Sequence, residues 1–144
     1  MSKVLIVAEH LNGQLNSATA RCVTCAQAMK AEPIDIVVLS DAPDAIAAQA
    51  AQIAGVSKVI TIANAANANP IAHILAPQIA SLAAGYSHVF GPSTTFGKDL
   101  MPCVAALLGT AQVSDIMAVE SSHSFKRPIY AGNAIISVTA PADK

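Results

Sequence analysis

The chain has 144 residues, of which 53% are hydrophobic, 12% charged and 3% aromatic, with a net charge of −1 from 8 basic and 9 acidic residues. That length suits one domain that buries roughly 70% of its unfolded surface without a disulfide or metal staple, and the hydrophobicity excludes a disordered chain. The largest basic cluster is only Lys126-Arg127, which excludes phosphate-driven nucleic-acid binding, and the uncharged stretch between Lys58 and Lys98 is too rich in Asn, Pro, Gly, Ser, Thr and His for a membrane span.

Short β-branched runs alternate with alanine-rich stretches, 30 residues being alanine. The first run, Val4 to Ala8, is too short for a secretory signal, so a cytoplasmic protein with reduced thiols is expected. Asp35 to Ser40 is the second, Lys58 to Ala63 the third and His88 to Gly91 the fourth. The first two are continuous rather than alternating, as parallel strands buried on both faces are. Between them the pattern predicts a helix over 17–30, with a stripe of Ala18, Cys22, Cys25, Ala26 and Met29, and a second over 43–54 stopped by Gly55. Asn69 and Pro70 are placed as N-cap and first residue of a third helix ending at Gly85, with a kink or division at Pro77. A fourth is predicted over 98–108, closed by Gly109, with Pro102 in or beside its first turn. Ala111 to Val119 reads as a further strand, and Ser124 to Tyr130 with Asn133 to Thr139 as a hairpin turning at Ala131-Gly132. The expected fold is α/β, doubly wound around a mainly parallel sheet, with a C-terminal β-hairpin, in one domain over 1–144.

Little in the sequence points to catalysis. Cys22 and Cys25 have redox-motif spacing but fall inside the predicted helix, so they are expected to be slow-reacting core residues. Gly91-Pro92-Ser93-Thr94-Thr95-Phe96-Gly97-Lys98-Asp99 has the wrong glycine spacing for a phosphate loop, and Asp99 replaces the required hydroxyl. It still joins a strand's carboxyl end to a helix, where α/β sheets place ligands, so a contact surface there stays open. Glu9 and His10 are adjacent and should point to opposite faces. His73, His88 and His123 have no metal-ligand spacing, and no catalytic set is recognisable.

Phe96 to Leu108, Val113-Ser114-Asp115-Ile116, Arg127-Pro128-Ile129-Tyr130-Ala131-Gly132-Asn133-Ala134-Ile135, and the opening Val4 to His10 with Gly13 and Leu15 together resemble the electron transfer flavoprotein α-subunit family. One departure is Cys103, where the family usually has Arg. The resemblance implies a Rossmann-like, three-layer unit akin to adenine nucleotide alpha hydrolases, forming the N-terminal domain of a longer two-domain subunit. On that reading the chain is a structural and docking domain that packs on the β-subunit and has no catalytic site. The parent heterodimer would carry electrons from flavin dehydrogenases of the acyl-CoA type, in fatty-acid β-oxidation, to a membrane quinone oxidoreductase. FAD would belong to the missing half and AMP to the partner subunit.

The residues agree in expecting no FAD on this chain alone: Lys98 stands beside Asp99, Arg21 lies in a helix, and Arg127 is in the hairpin, distant from the loop. The rival reading is an adenine-nucleotide-binding module or hydrolase of the same fold. Partner contacts are expected from Ser93, Thr94, Gly97, Lys98, Arg127 and Tyr130. An exposed apolar patch is expected around Ser124 to Thr139 and the Ser93 to Lys98 loop.

Overall fold

A computed structural model describes residues 2–141. Four parallel strands form the central sheet in the order β5-β4-β1-β6: β1 is Val4–Val7, β4 Ile34–Ser40, β5 Lys58–Ala63 and β6 His88–Phe90. All residues of β1 and β4 are buried, because both faces of these strands are covered. Val4, Ile6 and Ala8 face one side with Ile36 and Val38, packing on α1 (Ala18–Ala28) and α2 (Asp44–Ala51). Leu5 and Val7 face the other with Val37 and Leu39, against α3 (Ala72–Ala83) and α4 (Thr95–Leu108). The period-2 alternation of the strands thus produces the three layers directly.

Chain order and sheet order diverge at β1, which pairs with β4 on one side and β6 on the other. The carboxyl ends of β1 and β6 therefore flank a topological switch point, the usual ligand crevice of open α/β sheets.

Several expectations are corrected. The buried face of α1 is Thr19, Cys22, Val23 and Ala26, with Ala18 and Cys25 only half-buried. Asn69 is not the cap of α3: Ile71 holds that place with extended backbone, and Asn69 closes a preceding 3-10 turn, Ala65–Ala68. Of the two outcomes expected at Pro77, division does not occur, since α3 is continuous through it, and α4 begins three residues early, which puts Pro102 in its interior. Both prolines are solvent-exposed, as are His73 and Lys98, whose carbonyls lose their helical partner, so water can satisfy the lost bonds. Gly109 does cap α4 with left-handed backbone, φ 67°.

The run 111–119 is not one strand. Asp115 takes φ 55°, which breaks the extended backbone, and pairing starts only at β7 (Ala118–Ser121). β7 joins β8 (Ser124–Ile129) and β9 (Ala134–Thr139) in a separate three-stranded antiparallel sheet rather than a lone hairpin. A small hairpin beyond the expected elements follows β1: β2 (His10–Leu11) and β3 (Gln14–Leu15) turn at Asn12-Gly13, with φ 52° and 75°. Asn-Gly is the residue pair such a turn demands, so the signal was present. The Gln49 amide holds it, donating to the Gly13 carbonyl and accepting from the Leu15 amide, both at 2.9 Å.

Candidate functional site

At the switch point the loop after β6 turns into α4 under tight constraint. Thr94 is the N-cap, its Oγ1 accepting from the Gly97 amide at 3.3 Å and donating to Glu9 Oε2 at 2.9 Å. The chain's own carboxylate thus sits at the start of α4, on the side where the helix dipole favours an anion. Gly97 is buried, and a Cβ there would lie 1.6 Å from the Pro92 carbonyl oxygen, so only glycine allows the first turn of α4 to reach the loop. His10 points elsewhere, its Nε2 donating to the Leu39 carbonyl at 2.8 Å, so Glu9 and His10 do diverge.

The residues singled out in sequence converge on the segment between α4 and β7. The Ser93 hydroxyl donates to Asp115, and Lys98 Nζ stands 3.9 Å from Asp115 Oδ1. Arg127 donates from Nε to the Ser114 carbonyl at 2.9 Å and from Nη2 to Ser114 Oγ at 3.1 Å. Arg127 is therefore not remote from the loop: Ser114 and Asp115 link the two in adjacent residues. Its guanidinium is spent on that link and braces the connection between the two sheets. Tyr130 stands apart from this group. It is 77% exposed at the β8–β9 turn, where Tyr130, Ala131 and Gly132 all have positive φ. A bulky residue with left-handed backbone is strained, and such strain concentrates at functional positions.

The open edge of β6, α4 and the 110–116 segment enclose a groove of about 440 Å³. Its floor includes buried Cys22, Met101 and Phe125, and its polar lining includes Arg21, His88, Lys98 and His123. Burial, and secondarily Cys25, pushes the Cys22 thiol up to about 12, and burial also raises Cys25. Neither thiol is a nucleophile at neutral pH, since the thiolate is the reactive form. Cys103 is exposed, its thiol 3.6 Å from the Asp99 carbonyl of the preceding turn. No cluster of three or more His, Cys, Asp or Glu suited to a metal occurs among the described residues.

Four of the seven most exposed large hydrophobics, Met117, Tyr130, Ile135 and Ile136, belong to the antiparallel sheet and its approach. Ile135 and Ile136 are consecutive in β9, so they point to opposite faces and that end of the sheet is bare on both sides. The Ser93 to Lys98 loop contributes none of the seven. No helix among the described residues is long and apolar enough to cross a membrane.

Replacing Thr94 by Ala should cost about 2 kcal/mol, one lost cap plus one lost charge-assisted bond to Glu9. Urea unfolding of T94A beside T94S checks this, since serine keeps the hydroxyl and should restore most of the loss.

The family model described as the electron transfer flavoprotein domain matches residues 4–144. The electron transfer flavoprotein subunit alpha of Pseudomonas aeruginosa is 46% identical over 139 residues, covering 96% of this chain and 45% of that protein. The same-named protein of Bradyrhizobium diazoefficiens is 48% identical over 134 residues, covering 93% and 42%. The mitochondrial alpha subunit of Dictyostelium discoideum is 34% identical over 144 residues, covering 95% and 41%. The chain spans a little under half the length of these relatives.

Proposed function

This chain belongs to the electron transfer flavoprotein family, and on that premise we propose that it is the N-terminal structural and docking domain of an alpha subunit. It contributes no catalytic group of its own. The observation that carries this reading is identity of 34–48% to alpha subunits over nearly the whole chain but under half of each relative. The parent assembly would pair it with a beta subunit and carry electrons from flavin dehydrogenases to a quinone oxidoreductase, with FAD held by the complete heterodimer.

The bare antiparallel sheet supports the docking role. Tyr130 has the character of an interface anchor: aromatic, exposed and held outward by a constrained turn. Arg127 and Lys98 reinforce the frame behind it rather than meeting a ligand directly. The rival nucleotide-binding reading is less well supported, because Glu9 already places a carboxylate where a phosphate would meet the start of α4.

The purified chain should be colourless after desalting, with no flavin absorbance and no shift in melting temperature with AMP. Adding the remainder of a full-length alpha subunit and a beta subunit should restore the yellow chromophore. Stoichiometric flavin on the isolated chain, or a melting shift with AMP, would overturn the reading.

A further inference from the structure

The connection from β1 to α1 is the hairpin β2–β3, and its two-residue loop is Asn12-Gly13. Of the six asparagines in the chain, Asn12 alone precedes a glycine. That pair is open to reaction with itself, because glycine has no side chain to shield its amide nitrogen. Both residues are exposed, and nothing lies within 4 Å of where a Cβ on Gly13 would stand, so water reaches the loop freely.

The folded hairpin opposes the reaction. Asn12 and Gly13 have φ of 52° and 75°, the left-handed pair of a type I′ turn. Ring closure needs the Gly13 nitrogen on the same side of the Asn12 Cα–C bond as Cβ, whereas left-handed backbone puts it on the opposite side. Gln49 of α2 fixes that backbone, its amide donating to the Gly13 carbonyl and accepting from the Leu15 amide at 2.9 Å each. At the base of the hairpin the Asn16 amide donates to the Glu9 carbonyl at 2.8 Å.

We propose that Asn12 is a deamidation site gated by Gln49: the clamped hairpin withholds the reaction, and its local opening releases it. This is a property of the chain alone and does not depend on the docking role.

The chemistry needs only water. The Gly13 nitrogen attacks Asn12 Cγ, the bond from Cγ to the side-chain nitrogen breaks, and ammonia leaves with the proton that Gly13 gives up. Water then opens the cyclic imide. Cleavage at Cγ leaves aspartate at position 12; cleavage at the main-chain carbonyl leaves isoaspartate, with one extra carbon in the backbone. The first product adds a negative charge to the loop. The second lengthens a turn whose size sets the pairing of Leu11 with Gln14, so the hairpin loses its register. The change would fall next to Glu9, which bonds the N-cap of α4 at the switch point.

Mass spectrometry of the whole chain incubated at neutral pH tests this, with fragmentation to separate Asn12 from Asn16 and isoaspartyl methyltransferase labelling to identify the rearranged product. A free peptide spanning residues 9–16 supplies the unclamped rate. Wild type should react at position 12 at least roughly tenfold more slowly than the peptide. Q49A should react roughly tenfold faster than wild type, the two lost hydrogen bonds shifting the opening equilibrium by about that factor. Protection of the β1 amides against hydrogen exchange should stay at the wild-type level in Q49A, because the opening is local. The proposal is overturned if wild type matches the peptide, if Q49A matches wild type, or if β1 loses protection in step with the faster reaction, which would assign it to global unfolding. Should Q49A fail to fold, Q49E is judged by the same criteria: it keeps the acceptor for Leu15, loses the donor to Gly13, and should react about threefold faster than wild type.

Discussion

Gly97→Ala should be among the most damaging single substitutions in this protein. A methyl group there would lie 1.6 Å from the Pro92 carbonyl oxygen and 2.8 Å from its carbon, both backbone atoms that no rotamer change can move. Relief requires α4 to withdraw from the loop. That would strain the cap from Thr94, its bond to Glu9 and the burial of Leu100, Met101 and Val104 together. A loss of about 3 kcal/mol or more is expected, at the upper end for overpacking. Urea unfolding measures it. Gly91→Ala is the contrasting control, because its added carbon meets only the flexible Met101 side chain. Equal losses for the two variants would show that the contact between loop and helix is not the constraint.

The largest pH effect is expected on the alkaline side, at Cys22. With its thiol pushed from 9.0 up to about 12 by burial and by Cys25, the native state carries about a thousandfold fewer Cys22 thiolates near pH 8 than the unfolded chain. Thiol-reagent labelling should therefore modify exposed Cys103 at once and leave Cys22 until the protein unfolds. Modification of both at the same rate would refute the buried assignment. The same displacement links to stability. The unfolded thiol releases its proton above about pH 9 while the native one keeps it, so the native state binds more protons and stability falls as pH rises. The slope approaches 1.4 kcal/mol per pH unit, roughly, until pH nears 12. Tyr86 acts in the same direction, its hydroxyl raised to about 12 by burial and by Asp35, to which it donates at 2.6 Å. Urea midpoints between pH 8 and 10.5 for wild type and C22A check this: the variant's decline should be shallower.

The layered parallel core is legible from sequence because its signals are local. A strand covered on both faces is apolar over a continuous run, so Val4 to Val7 and Ile36 to Leu39 announce burial without knowledge of any neighbour. Gly109 likewise marks the end of α4, since left-handed backbone favours glycine whatever surrounds it. The four family blocks are carried in the order of residues alone, and so is the asparagine-glycine turn at 12–13.

What the sequence could not determine depends on residues far apart in the chain. Whether 111–119 forms a strand is decided by Arg127, Ser93 and Lys98, which hold Ser114 and Asp115 in a bent path. Whether Pro77 and Pro102 break their helices depends on which face meets water, and hence on how each helix lies against the sheet. Glu9 and Thr94 are 85 positions apart, yet meet at the switch point because β1 and β6 are neighbours. The character of this site, one of the protein's own carboxylates bonded to the N-cap of α4, follows from that strand order, which only the assembled sheet fixes.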